Sequence, residues 1–290
     1  MQFVIVALAV IGTNTACLVR TRKPDAKVAI GQTARLSDLT TKVDRFGTIQ
    51  TLRANVQLQL SFVEQDQDTV KEFSNVTGFI LIQRPGNIRV RAQVPVVRTT
   101  ALEMASAGAT FQVHVPSKSR FLVGDTAANK PSESRVENVR PQHILEAVLI
   151  SPQRDDEKPL LENVVEGLKA YQLLVLVRPG AEEGQLQLSR KIWFDRSNLE
   201  ITRQEIYDDK GDVATDAWYR EWSTEGTVMF PHFIYMSRPG DGYDLQVRIL
   251  KVDLNVPLPA DAFDLKPPEG TKIERIGEMK ESAASGGVRP

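Results

Sequence analysis

The chain reads as a mostly antiparallel β protein with two helices, of the α+β class. Three observations predict this. Period-two apolar alternation recurs along most of its length, with Val56, Leu58, Leu60 and Phe62 set against Gln57, Gln59 and Ser61 as the clearest case. Apolar residues fall at helical spacing at Leu36, Leu39, Val43 and Phe46, and again over 141–150 behind a proline. The tripeptide Arg-Pro-Gly stands at 84–86, 178–180 and 238–240, each time between two strand-like runs, as punctuation of a long meander.

The elements follow in order. A helix is expected over about 35–46, weakened at Gly47, and a strand over 56–62, followed by a polar turn at 64–68. Further strands are expected at 72–83, 87–94, 98–106, 110–115 and 119–124, then the second helix and a charged loop over 151–159. Strands resume at about 161–166, 170–178, 185–195, 199–207, 213–222, 230–237 and 243–255. Pro then Gly suits the centre of a type II turn, so the Arg-Pro-Gly sites are expected to be tight hairpins without chemistry. Phe79–Ile82 and Leu173–Val177 are apolar on both faces. Either both sides are covered, as in a compact sandwich, or one side lines a dry hollow in a curved sheet.

With 290 residues, 41% hydrophobic and 25% charged, the chain has ample material for a core. No interior linker is visible, so 35–276 reads as one domain, with a disordered tail at 277–290. The 36 Lys and Arg against 37 Asp and Glu leave no basic excess for nucleic acid. One cysteine and three scattered histidines exclude an internal disulfide and a cysteine-rich zinc site.

The first residues carry an address. Phe3 to Ile11 is an apolar run of nine, too short to span a bilayer and of the length of a signal-peptide core. Residues 1–16 therefore read as a signal peptide. Thr15-Ala16-Cys17 resembles the end of a bacterial lipobox, which implies lipidation of Cys17 and a membrane anchor. An ordinary secretory signal with an incidental cysteine, or a cytosolic chain with an apolar first strand, are the other readings. Arg20, Arg22, Lys23 and Lys27 would then lie at the headgroup layer, within a tether over 17–34. Leu18 stands where an Asp tends to hold lipoproteins at the inner membrane, which favours the outer one.

A search for catalytic chemistry returns little. His114, His143 and His232 have no ligand-spaced partners, and there is no Gly-x-Ser-x-Gly elbow, Walker A loop or Gly-x-Gly-x-x-Gly strand-to-helix turn. The carboxylates at 155–157 and 182–183 read as solvated turns. Trp218 and Trp222 are expected on one strand face with Asp216 and Arg220, as packing pairs. No enzyme, metal or cofactor is expected.

The order of these features resembles the LolA/LolB-like outer-membrane lipoprotein carriers and receptors. The residues that carry it are Gly78-Phe79-Ile80-Leu81-Ile82-Gln83-Arg84-Pro85-Gly86 with Arg89, then Ile192-Trp193-Phe194-Asp195, Glu205–Gly211 and Phe230-Pro231, and finally Leu258-Pro259, Phe263 and Pro267-Pro268-Glu269-Gly270. The resemblance implies a strongly curved, incomplete antiparallel β-barrel plugged by a few helices, whose concave face holds acyl chains. It implies a non-enzymatic envelope lipoprotein facing the periplasm, whose partners are a lipid or lipoprotein and the membrane, with no protein partner identified. Leu58, Leu60, Phe62, Val90, Phe111, Leu188 and Ile192 are the lining residues expected if inward parity is as read here. A regulatory envelope sensor and a structural lipoprotein with a filled core are the alternatives.

Overall fold

A computed structural model describes residues 31–63, 70–94, 97, 99–126 and 138–276. The signal peptide, Cys17 with the basic run, the polar turn at 64–68 and the tail at 277–290 all lie outside the described residues. Two α-helices, fourteen strands and two short 3-10 helices (Arg45–Thr48 and Pro116–Lys118) make up the regular structure there. In chain order they are α1 (Leu36–Asp44), β1 (Thr51–Val63), β2 (Val70–Gln83), β3 (Asn87–Gln93), β4 (Thr100–Ala107), β5 (Thr110–Val115) and β6 (Arg120–Asp125). Then come α2 (Pro141–Val148), β7 (Lys158–Glu166), β8 (Lys169–Pro179), β9 (Leu186–Asp195), β10 (Ile201–Tyr207), β11 (Val213–Glu225), β12 (Val228–Arg238), β13 (Tyr243–Leu254) and β14 (Lys272–Ile276).

All the strands join one open sheet in the order β14-β6-β5-β4-β3-β2-β1-β13-β12-β11-β10-β9-β8-β7. Each neighbouring pair is antiparallel except β14 with β6. The sequence halves meet where β1 pairs β13, with Leu52 opposite Leu254 and Phe62 opposite Tyr243. Strand β14 has no counterpart in the sequence reading. Its residues are mostly exposed, so no apolar alternation marks it, and the Arg120–Glu274 ion pair ties it to β6.

One face of the sheet carries the core. Leu52, Ala54 and Val56 of β1, Ile80 and Ile82 of β2, Ile88 and Val90 of β3, Leu174 and Leu176 of β8, and Ile234 and Met236 of β12 are buried in one contiguous cluster with Leu39 and Val43 of α1. Helix α1 opens on Arg35, whose backbone N–H donates to the Asp38 carboxylate at 3.0 Å, which satisfies one of the helix's unpaired donors. Helix α2 touches β3 and β4 on one side and β11 and β12 on another. Gln142 donates to Ser106 Oγ of β4, and Tyr219 of β11 donates to the Ala147 carbonyl at 3.0 Å.

The doubly apolar strands are covered on their second face by long side chains. The Arg91 guanidinium lies 5.5 Å over the Phe79 ring, and Leu173 sits opposite Trp193. The Arg-Pro-Gly sites depart from type II turns. That turn needs a left-handed residue after the proline, yet positive φ falls on Gly184 and Gly242, not on Gly86, Gly180 or Gly240. Pro179 is still in β8, and the loop closes through Gly180 N–H to the Gln185 carbonyl. What the three sites share is an anchoring arginine. Arg84 donates to the carbonyls of Ile49, Phe46 and Ile150, Arg178 to Asp209, and Arg238 to Thr215 and Asp241.

Candidate functional site

The expected lining residues divide into two groups. Leu58, Phe62, Val90, Phe111 and Ile192 are buried in the main cluster, and Leu60 packs against it. Leu188 is half-buried and stands outside that cluster, beyond the irregularity in the β8–β9 register at Leu176/Val177. Side chains fill the space around Phe111, whose ring lies where a Cβ on Gly124 would be, 2.5 Å away. Space opens elsewhere.

A cleft of about 220 Å³ lies between the C-terminal end of α1, the β9–β10 turn and the β11–β12 hairpin. Phe46, Phe194, Leu199, Ile201, Trp222, Val228 and Met229 supply apolar walls, and Thr224 and Thr227 line it as well. Three charged residues share the lining: Lys42, Arg45 and Glu200. The wall depends on a backbone reversal. Glu221 has φ +57°, which interrupts the alternation of β11. Trp218 consequently stays on the outer face, while Trp222 turns to the core side, edge-on to Phe46 at 6.2 Å and 6.2 Å from Tyr219. The two tryptophans therefore do not share a face, contrary to the alternation read from the sequence. Trp222 Nε1 is buried with no acceptor. Leu199, at φ +57°, shapes the β9–β10 turn, and the Asn198 amide donates to the Glu200 carboxylate at 2.7 Å.

The chain enters the fold beside this cleft. Gln32 N–H donates to the Arg196 carbonyl, Arg196 donates back to Gln32 and Thr33, and Ala34 exchanges two hydrogen bonds with the Gln172 side chain. Gly31 is required there, because a Cβ would fall 2.0 Å from the Arg196 carbonyl oxygen.

Two polar networks are built into the interior, one between the segment after α2 and β9 and one at α2 itself. Glu157, expected to be solvated, is 3% exposed. It accepts from Arg190 at 3.0 and 2.6 Å, from Ser189 Oγ at 2.6 Å and from the Arg154 backbone N–H at 2.9 Å. Burial alone would raise its pKa, but the Arg190 hydrogen bonds and charge hold it below the usual carboxylate value. Arg190 also donates to the Ser151 and Pro152 carbonyls, so the pair fastens the segment after α2 to β9. In the second network His143 Nδ1 lies 2.8 Å from Tyr243 Oη. Burial, then the charges of Arg238 and Arg140, push the His143 pKa well below its ordinary value. Asp241 is 3.8 Å from the ring but is engaged by Arg238 at 2.8 Å, so it does not reverse the shift. Burial raises the pKa of Glu146, against the opposing charges of Arg238, Arg154 and Arg190.

On the outer face Arg203 is held between Trp193 and Trp218, 4.8 and 4.5 Å from their ring centres, with Asp216 accepting at 2.8 and 2.9 Å. This is cross-strand packing, with the Arg203 charge met by Asp216 and the Trp193 indole N–H donated to Glu166 at 3.2 Å. Ser223, His232 and Glu225 also meet, but Ser223 and Glu225 both approach His232 Nε2, at 2.9 and 3.0 Å. A nucleophilic triad needs the acid on the other ring nitrogen, and here that atom faces the Ile249 carbonyl. Among the described residues no three His, Cys, Asp or Glu are grouped so as to hold a metal ion, and no helix is long and apolar enough to cross a membrane.

No family model matches the chain, and no curated protein matches it. Solved structures do. A DUF1329 family protein from Desulfovibrio piger aligns with a TM-score of 0.52 at 14% identity, over 79% of this chain and 95% of its own. A LolA superfamily protein from Nitrosomonas europaea aligns at 0.49 and 16% identity, over 80% and 98%. An outer membrane lipoprotein-sorting protein domain from Vibrio parahaemolyticus aligns at 0.48 and 9% identity, over 79% and 97%. The shared fold rests on the DUF1329 structure, which has the highest TM-score of the three.

Proposed function

We propose that this chain is a non-enzymatic envelope lipoprotein that takes up an acyl chain of a lipid or lipoprotein, for carriage or membrane insertion. The observation that carries the reading is the apolar cleft bounded by Phe46, Phe194, Trp222, Val228 and Met229, contiguous with the main core. Leu58, Leu60, Phe62, Val90, Phe111 and Ile192 belong to the same apolar network and would form its deeper wall on opening. Burial of an acyl chain yields about 0.8 kcal/mol per methylene, so a short length already gives useful affinity.

A curved, incomplete barrel plugged by helices belongs to the same proposal. Strands β4 and β11 stand six places apart in the sheet order. At about 4.8 Å per strand a flat sheet would separate them by roughly 29 Å. Helix α2 touches both, and a helix with its side chains is only about 10–12 Å across. A sheet bent around α2 reconciles these distances. Residues 35–276 form the single domain of this reading, with 1–16 as signal peptide, Cys17 as the acylated residue and anchor, and 17–34 as tether, whose last residues 32–34 are hydrogen-bonded onto the fold.

The test is native mass spectrometry with organic extraction on a form starting at Leu18, purified without detergent. Bound lipid or acyl peptide, lost in Met229→Asp, supports the proposal. A clean apo mass that takes up nothing from phospholipid vesicles overturns it and favours a structural lipoprotein with a filled core.

A further inference from the structure

Resting on the acyl-binding reading, we propose that the cleft selects single-chain amphiphiles whose head is anionic. The cleft is apolar inside and cationic at one rim. Lys42 lies in the last turn of α1 and Arg45 directly after it, and both line the space. Neither makes an ion pair with a carboxylate among the described residues. The acid between them in sequence, Asp44, is occupied elsewhere, accepting from the Gln153 backbone N–H at 2.9 Å. The opposing acid of the lining, Glu200, is held by the Asn198 amide. Glu200 keeps its charge under that hydrogen bond, so two cations face one carboxylate over a wall of Phe194, Trp222 and Met229, and the lining is cationic on balance.

Size narrows the ligand. The cleft as it stands offers about 220 Å³ of space and is open to solvent on one side. Before any deeper wall opens, it admits one acyl segment. A cationic rim on an apolar slot of this size matches a carboxylate or phosphate head carried on one chain. The negative end of the α1 dipole also favours basic residues at this position.

The experiment titrates the full chain calorimetrically with three ten-carbon probes: decanoate, decanol and decyltrimethylammonium. Decanoate is expected to bind about tenfold more tightly than decyltrimethylammonium at low salt, with the difference shrinking as salt screens the rim. Lys42→Glu with Arg45→Glu should invert the order. Lys42→Gln with Arg45→Gln, a milder change at the same sites, should abolish the preference for decanoate, leaving Glu200 as the charged residue of the lining. Equal affinity for all three probes, unaltered by either double variant, overturns the head-charge inference while leaving acyl binding intact. Binding of none of the three removes the acyl reading itself, and the inference with it.

Discussion

Replacing Glu157 by alanine removes the carboxylate that neutralises Arg190 in the interior. Both partners are nearly inaccessible, with side-chain exposures of 0% and 3%. Arg190 keeps only the Ser151 and Pro152 carbonyls, at 2.7 and 3.0 Å. Ser189 and the Arg154 backbone N–H each lose an acceptor as well. Breaking a buried pair from one side costs about 3–5 kcal/mol, because an uncompensated charge remains. For a domain of this size that is roughly a 6–20 °C fall in Tm. The assay is reversible urea denaturation of the form starting at Leu18, read by tryptophan fluorescence, alongside calorimetry. The double variant Glu157→Met with Arg190→Met should recover more than half of the loss, since apolar replacement of a buried pair is often neutral. A loss under about 1 kcal/mol for Glu157→Ala would refute the reasoning, as that is the range of an exposed pair.

Two further outcomes follow from the interior groups. His143 is neutral in the folded chain because its pKa is depressed. The unfolded chain binds that proton near pH 6.5, so stability should fall as pH drops below about 6.5, and His143→Gln should flatten this stage. Glu157 has a depressed pKa, so its contribution is complete above about pH 4.3 and is lost as pH falls through the folded value, a second and separate stage. Gly78→Ala places a Cβ 1.9 Å from the Arg91 carbonyl oxygen of the neighbouring strand. It should lower the urea midpoint by more than Gly86→Ala, where a Cβ meets open space.

Local periodicity made most of the fold readable, because a strand that buries one face leaves its record in neighbouring residues. Leu36, Leu39, Val43 and Phe46 pack as their helical spacing implies, and Leu52 to Phe62 alternate against β13 and β2. The site was harder to read, since each of its determinants is non-local or without a residue signature. The turn of Trp222 into the cleft follows from a positive φ at Glu221, a residue type that does not announce it. Glu157 looks like one more acid in a charged loop until Arg190, thirty-three positions on, is brought beside it. Lys42 and Arg45 acquire meaning only when the β11–β12 hairpin is laid against the end of α1.

Photo-crosslinking with a diazirine-bearing ten-carbon fatty acid tests the central claim most directly, with labelled peptides located by mass spectrometry. Labels on the segments containing Phe46, Trp222 and Met229, competed away by unlabelled decanoate, are the predicted result. Labels confined to the outer face around Trp193 and Trp218, or uncompeted labels spread evenly along the chain, would contradict it.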